Sequence, residues 1–149
     1  MLIDDRIPSN LDRFVATVER NATRRKTDLV CIDYVQLLPA TARGRGRDSE
    51  LGEVSRAIAR VVRRLDCACL LLSQLNRQAE SERPSLGHLR ECGSLEADAD
   101  YVVLLDDLRW RGGMPSDDKG QIRARLAHIA KNKHGRTGKV LLGWDGRYT

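Results

Sequence analysis

The pattern of hydrophobic and polar positions predicts a chain in which strands and helices alternate. Apolar residues at three- and four-residue steps predict a helix over 48–65, and a similar apolar face follows Ser9. Ser9 is the expected N-cap of that first helix, and the cations from Arg24 to Lys26 are expected to close it. Short apolar runs predict five strands, over 28–33, 68–73, 101–105, 122–130 and 139–143.

The order of these elements predicts an α/β fold. Strands alternate with helices through residue 105, and such an order is typical of a parallel sheet flanked by helices. The first three strands are predicted to be buried. The last two flank the sequence H-G-R-T-G, so they predict a C-terminal antiparallel hairpin that extends the sheet. A chain of 149 residues suits one domain.

Composition narrows the class of protein. Apolar residues make up 41% of the chain and charged residues 32%, as in globular proteins. No apolar run approaches the ~20 residues that span a bilayer, and acidic residues interrupt the first twenty positions, so we expect a cytoplasmic protein without a membrane partner. The net charge of +5 is compatible with a polyanionic partner. The four cysteines lack metal-site spacing, so we interpret them as structural.

Polar residues follow three of the apolar strands, at the edge where ligands of open parallel sheets collect. They are Asp33, then Ser73 and Gln74, and then Asp106 and Asp107. Asp33 follows the first strand and could hold Mg²⁺ directly or through water, while Gln74 could sense a phosphate or orient a water molecule. An aspartate that merely caps a turn is the alternative for Asp33. The chain contains no G-x-x-x-x-G-K-[ST] phosphate loop. Asp33 could therefore supply the metal-binding part of a nucleotide site, but the usual phosphate-binding part of such a site is not in this sequence.

Three basic segments differ in what they predict. The loop 42–47 carries three arginines without an aromatic residue, which favours contact with phosphates over contact with bases. A loop that is merely solvated is an equal alternative. The arginines at 56, 60 and 64 predict a solvated helix face. Lys131 and Lys133 point to one side at a strand end, where paired cations could neutralise phosphate charge, including that of a neighbouring subunit's nucleotide.

Several segments, taken in order, closely resemble the DnaB-type replicative DNA helicase family in its C-terminal RecA-like motor domain. They are I-D-Y-V-Q-L-L, S-E-L-G-E-V-S-R-A-I-A-R-V-V-R-R-L, L-L-S-Q-L-N-R, R-P-S-L-G-H-L-R-E-C-G-S-L-E-A-D-A-D-Y-V-V-L-L and K-N-K-H-G-R-T-G-K-V. The resemblance covers residues 1–149, and the loops 40–47 and 108–120 are its least family-like parts. A recombinase of the RecA or RadA type is a weaker interpretation, because S-Q-L-N-R and L-R-E-C-G-S favour the helicase.

The resemblance implies a homohexameric ring that moves along single-stranded DNA by hydrolysing ATP with Mg²⁺ at subunit interfaces. Asp33 matches the Walker B acid near Mg²⁺, and Gln74 matches the glutamine that links the γ-phosphate to the DNA loops. Lys131 and Lys133 match the pair that reaches the neighbouring subunit's phosphates, although relatives usually carry arginine at the second position. The loop that follows the DNA backbone is matched by Arg90, Glu91 and Gly93.

The resemblance also implies what this chain lacks. The phosphate loop and the glutamate that positions the attacking water lie upstream in relatives, so the chain is expected to be the C-terminal portion of the motor domain. We therefore expect no catalysis by this chain alone, and activity only with a chain that supplies the Walker A half. The alternative function is a non-catalytic module that binds single-stranded DNA or modulates a ring.

Overall fold

The computed structural model describes residues 1–6, 8–40, 46–107, 122–145 and 147. Its helices and strands, in chain order, are α1 (Leu11–Arg24), β1 (Leu29–Ile32), α2 (Arg47–Leu65), β2 (Ala68–Leu71), α3 (Gly93–Asp98), β3 (Tyr101–Asp107), β4 (Ile122–Asn132) and β5 (Gly138–Asp145). Short 3-10 helices lie at Val35–Leu37, Arg77–Glu80 and Leu86–Cys92. The basic loop, for which phosphate contact was one interpretation, lies largely outside the described residues, at 41–45.

Helix α1 begins one residue later than predicted. Asn10, not Ser9, is the N-cap: its backbone is extended and its side-chain oxygen accepts the Arg13 N–H at 2.8 Å. Asparagine caps as well as serine, so a sequence with both side by side does not decide between them. The predicted end is close, since the helix stops at Arg24 and Arg25 is its C-cap.

Helix α2 carries the main core and confirms the predicted periodicity. Val54 is fully buried, and Leu51, Ala57 and Ile58 are almost so, while the arginines of the opposite stripe are exposed. These apolar side chains pack with residues from α1, β1 and the segment after β1 in one buried cluster. Arg64 of the exposed stripe forms an ion pair with Glu19 of α1. The stripe is therefore a solvated face, as predicted.

The described strands form two sheets instead of one. β1 and β2 pair in parallel, from Leu29 opposite Ala68 to Ile32 opposite Leu71. β3, β4 and β5 form an antiparallel sheet in that order, which confirms the hairpin and its antiparallel addition to β3. Among the described residues, no hydrogen-bonded ladder joins β3 to the parallel pair, so the prediction of a single continuous sheet is wrong here.

The prediction that the first three strands are buried holds only in part: one face of β1 and of β3 carries buried residues, whereas one face of β2 is no more than half-buried. In β1, Ile32 is 7% exposed but Leu29 is 55% exposed, and in β3 Leu104 is 3% exposed but Leu105 is 66%. Alternate residues of a strand point to opposite faces, so a helical layer on one face buries only every second side chain. Within the described residues, α1 and α2 supply that layer for β1 and β2.

The chain divides into two compact units. The first unit comprises Met1–Asn76 with Leu89–Asp98, and it contains the three α-helices and the parallel strand pair. The second unit comprises Arg77–His88 with Ala99–Thr149, and it contains the antiparallel sheet. None of the described helices is long and apolar enough to cross a membrane.

Candidate functional site

Asp33 lies in the first unit, directly after the last residue of β1. Leu72 N–H donates to the Ile32 carbonyl at 3.0 Å, and Val35 N–H donates to the Leu72 carbonyl at 2.9 Å, so backbone bonds hold the segment on both sides of Asp33. The Asp33 side chain itself is exposed. The structure therefore presents a carboxylate to solvent from a fixed backbone, at the carboxyl end of a parallel strand.

Gln74 lies three residues after the end of β2, the strand that pairs with β1, and Gln36 fixes the backbone of Gln74. The Gln36 amide nitrogen donates to Ser73 Oγ at 3.0 Å and to the Gln74 carbonyl at 3.1 Å. The Gln36 side-chain oxygen accepts the Gln74 N–H at 3.3 Å. The Gln74 side chain remains exposed. Our sequence reasoning missed Gln36, although a polar residue inside the apolar run Y-V-Q-L-L was a signal of a specific partner.

Asp33 is the residue here that could contact a metal ion. No group of three or more histidine, cysteine or acidic side chains lies close enough to chelate a cation among the residues that the structure describes. Mg²⁺ beside nucleotides usually keeps several waters and takes one or two carboxylates together with phosphate oxygens. A single exposed carboxylate at a strand end fits that mode of binding and does not fit a protein-only metal cage.

Arg90, Glu91 and Gly93 fall at a junction of two helical segments, not in an open loop. The backbone of Arg90 and Glu91 belongs to the 3-10 helix Leu86–Cys92, and Gly93 is the first residue of α3. Gly93 is exposed, and a Cβ built there would meet no atom within 4 Å. The side chains of Arg90 and Glu91 lie outside the described residues. The expected loop is therefore more regular than the sequence suggested.

The start of this 3-10 helix is fixed by a buried histidine. His88 is 6% exposed, and its Nδ1 accepts the Ser85 N–H at 3.0 Å. His88 Nε2 lies 3.5 Å from a carboxylate oxygen of Glu82. Because Nδ1 accepts a backbone N–H, the proton of the neutral ring lies on Nε2, facing that carboxylate. Sequence reasoning gave His88 no role.

Two contacts fasten α3 to α2. Ser55, which is 4% exposed, donates its hydroxyl to Asp98 Oδ2 at 2.5 Å. Near the start of α3, a Cβ on Gly52 would lie 3.1 Å from Ser94 Oγ, so the two helices approach closely because residue 52 has no side chain. Leu95 buries its side chain in the same core as α2. The segment that follows Glu91 is therefore anchored on a rigid helix.

Lys131 and Lys133 lie in the second unit. Lys131 is in β4, opposite Val102 of β3, and Lys133 follows the last residue of β4. Lys133 Nζ lies 2.7 Å from Asp100 Oδ1, so this cation has an acidic partner within its own chain. The placement of both lysines at a strand end agrees with the prediction. Their reach to a neighbouring subunit stays a prediction.

The three cysteines whose side chains the structure describes do not form a site. Burial raises the pKa of the Cys69 thiol to about 11, and burial also raises the pKa of Cys67. Both thiols are therefore protonated and unreactive near neutral pH. Cys31 is exposed, although it lies within the apolar strand β1. The side chain of Cys92 lies outside the described residues.

An open cavity of about 470 Å³ lies between the N-terminal segment and α1, where Asp4, Arg6 and Arg20 line it. Arg6 donates to both carboxylate oxygens of Asp4 at 2.8 Å, and these bonds lower the pKa of Asp4 to about 2. Because both aspartates and arginines line it, the cavity does not have the uniform positive charge of a phosphate site.

Comparison with known proteins decides the family. The family model of the DnaB-like helicase C terminal domain matches residues 1–149. The chain belongs to this family. The replicative DNA helicase DnaB of Leifsonia xyli is 34% identical over 152 residues, an alignment that covers 100% of this chain and 32% of the relative. The DnaB of Geobacillus stearothermophilus is 31% identical and is covered to the same 32%. The chain thus spans about a third of the length of these relatives.

A solved structure of the family has the same fold. It is a DnaB-like replicative helicase that was studied with its interactions with primase, and it matches with a TM-score of 0.81 and 31% identity. The match covers 97% of this chain and 36% of that chain. The RecA-like α/β class predicted from the sequence is confirmed, and so is the choice of the DnaB-type helicase family over the recombinases.

Proposed function

We propose that this chain is part of the motor domain of a replicative DNA helicase, in which ATP hydrolysis drives movement on single-stranded DNA and unwinding of the duplex. The observation that carries the proposal is the pair of adjacent parallel strand ends that present Asp33 and Gln74. Gln36 joins these strand ends through hydrogen bonds to Ser73 and Gln74. Family membership over the whole chain supplies the context for this geometry.

In this proposal Asp33 and Gln74 have different roles in binding the nucleotide. Asp33 would hold Mg²⁺ through water, and Mg²⁺ bound there would supply positive charge opposite the ATP phosphates. Gln74 can donate to a phosphate oxygen and accept from a water, so its position can depend on whether a γ-phosphate is present. The backbone of Gln74 is hydrogen-bonded to the Gln36 side chain. A shift of Gln74 on loss of the γ-phosphate would therefore be passed to the loop that follows β2.

The DNA contact is assigned to Arg90, Glu91 and Gly93. α3 is fastened to α2 by the Ser55–Asp98 hydrogen bond, so its first residue, Gly93, is held on a rigid support. An exposed glycine lets a nucleic-acid backbone approach closely, and an arginine neutralises phosphate charge without reading bases. This segment would therefore bind single-stranded DNA through its phosphates and with little sequence preference.

Lys131 and Lys133 are assigned to the phosphates of a neighbouring subunit's nucleotide. This role requires a ring, and we propose a homohexamer or an assembly with a chain that supplies the phosphate loop. Lysine at position 133 keeps the positive charge of the arginine usual in relatives but lacks its planar two-pronged geometry. We therefore expect a weaker contact with the phosphates than an arginine would make. A cytoplasmic location is part of the same proposal.

A second candidate function is a non-catalytic module that binds single-stranded DNA or modulates a ring. This function would need the segment at Arg90, Glu91 and Gly93 but no nucleotide site. The two functions differ in one property: the motor segment would support ATP hydrolysis when mixed with a chain that carries a phosphate loop, and the binding module would not.

The DNA-binding assignment is tested with two matched arginine variants. Arg90→Ala removes the proposed phosphate contact, while Arg60→Ala removes the same charge from the exposed stripe of α2. We expect Arg90→Ala to weaken binding of a single-stranded oligonucleotide more, and to reduce the slope of log K against log salt by about 1. Fluorescence anisotropy at several salt concentrations measures both quantities. Equal losses in the two variants would mean that DNA meets a diffuse basic surface, and the assignment would then be abandoned.

A further inference from the structure

Lys133 and Asp100 are joined through their backbones and through their side chains. Lys133 N–H donates to the Asp100 carbonyl at 3.0 Å. Lys133 Nζ lies 2.7 Å from Asp100 Oδ1, which is the length of a charge-assisted hydrogen bond. Lys133, which stands where relatives usually carry arginine, is thus paired with a carboxylate of its own chain, 33 residues earlier in the sequence.

The backbone that carries Lys133 is held in place independently of this ion pair. Asn132 Nδ2 donates to the Arg136 carbonyl at 3.0 Å, and Asn132 Oδ1 accepts the His134 N–H at 3.0 Å. The rings of His134 and Tyr101 lie 5.8 Å apart, which adds a contact between this turn and the start of β3. Loss of the ion pair would therefore release the Lys133 side chain without moving its backbone.

The Asp100–Lys133 pair is open to solvent on both sides. The Lys133 side chain is 42% exposed and that of Asp100 is 59% exposed, whereas in the Arg125–Asp107 pair of the same sheet the two values are 20% and 21%. Exposed ion pairs contribute little free energy because water competes for both charges. A ligand with more charge than a carboxylate can therefore displace Asp100 from Lys133.

We propose that Asp100 is a built-in competitor that occupies Lys133 until a phosphate group of a neighbouring subunit's nucleotide replaces it. The proposal rests on the assigned role of Lys133 at those phosphates. A triphosphate carries several negative charges and presents many acceptor oxygens, so it attracts the ammonium group more strongly than one carboxylate does. Before the phosphate binds, Asp100 holds the Lys133 ammonium group in position. Because the Asp100–Lys133 ion pair must break when phosphate binds, the free energy of that pair lowers the affinity of Lys133 for phosphate.

The first arm of the test asks whether Asp100 restrains Lys133 when no phosphate is present. Side-chain NMR order parameters of the purified chain are compared for Lys133 and for Lys139, an exposed lysine at the start of β5. We expect Lys133 to be the more ordered of the two in the wild type and to become as mobile as Lys139 in Asp100→Asn. Equal mobility of the two lysines in the wild type would overturn the proposal.

The second arm measures binding of tripolyphosphate, a triphosphate without a base, by calorimetry. Asp100→Asn is expected to bind it about two- to fivefold more tightly than the wild type, which corresponds to the usual strength of an exposed pair. Lys133→Gln is expected to weaken binding. Asp28→Asn is the matched control, since Asp28 faces Lys26 at 3.5 Å in another exposed pair and its loss changes the net charge equally.

The outcomes separate this inference from the function on which it rests. If Lys133→Gln weakens binding but Asp100→Asn behaves like Asp28→Asn, Lys133 keeps its role and the competition by Asp100 is refuted. If Lys133→Gln binds as tightly as the wild type, or no variant binds, the phosphate role of Lys133 fails and the proposal fails with it. Tighter binding in Asp100→Asn alone, lost in the Asp100→Asn/Lys133→Gln double variant, supports the proposal.

Discussion

Replacement of Gly52 by alanine sets helix propensity against a steric contact. Alanine stabilises a helix interior by about 1 kcal/mol relative to glycine. Its Cβ would, however, lie 3.1 Å from Ser94 Oγ and 3.5 Å from Ser94 Cβ, across the contact between α2 and α3. Ser94 Oγ is buried and, within the described residues, has no hydrogen-bond partner, so it sits in a confined space.

The contact is expected to outweigh the propensity. Overpacking a well-filled contact costs about 1–3 kcal/mol. We therefore expect Gly52→Ala to lower the free energy of unfolding by about 1 kcal/mol. In a Ser94→Ala background the nearest atom of residue 94 is Cβ at 3.5 Å, an ordinary contact. The remaining close contact, with Arg56 Nη1 at 3.2 Å, is to the end of a flexible, exposed side chain that can move aside. The same substitution should therefore raise the free energy of unfolding there by up to about 1 kcal/mol. The coupling between the two sites is then about 2 kcal/mol.

Urea unfolding of the four proteins of this cycle, followed by circular dichroism, gives the free energies. Gly93→Ala is the control, because a Cβ at that exposed position would meet no atom within 4 Å and should not destabilise the fold. If Gly52→Ala stabilised the wild type as much as it stabilised the Ser94→Ala variant, the close approach of α2 and α3 would be refuted.

Four further predictions concern the site, the cysteines and ATP hydrolysis. Gln36→Ala should speed amide hydrogen exchange at Gln74 and lower the free energy of unfolding by about 1–2 kcal/mol, because it removes several side-chain hydrogen bonds; unchanged exchange would refute the role of Gln36. At pH 8 a maleimide should modify exposed Cys31 well before Cys69, whose thiol pKa of about 11 leaves almost no thiolate, as peptide mass spectrometry would show. Because unfolding returns the Cys69 thiol pKa to about 9, its contribution to stability should be lost as pH rises from about 9 to about 11. The chain alone should release no phosphate from ATP with or without DNA, since it contains no phosphate loop; steady DNA-stimulated release would contradict this.

Many of the helices and strands could be predicted because the local order of apolar and polar residues determines them. The periodic apolar positions of α2 matched its bounds to within one residue, and the apolar run before Asp33 matched β1. Parallel strands order their carboxyl ends at one edge, so the sequence was enough to place Asp33 and Gln74 at neighbouring strand ends. These predictions depend only on side-chain periodicity and on the chirality and length of connections.

The rest depends on contacts between residues that are distant in sequence. Ser55 bonds Asp98 from 43 residues away, and Lys133 meets Asp100 from 33 residues away. A hydroxyl or a carboxylate can form a hydrogen bond with many other residues of the chain. The local sequence therefore does not show which of them the fold will bring close. The role of Gln36 was not predicted for the same reason, because its hydrogen-bond partners, in Ser73 and Gln74, follow a different strand.

Binding of single-stranded DNA by the purified chain tests the central claim most directly. An oligonucleotide would be titrated at about 50 mM and about 200 mM salt, each with and without ATP and Mg²⁺. We predict binding that weakens steeply with salt and does not change with nucleotide, because the proposed DNA segment is present and the phosphate loop is absent from the sequence. Binding that is insensitive to salt, or absent at both concentrations, would contradict the assignment of residues 90–93 to the DNA backbone.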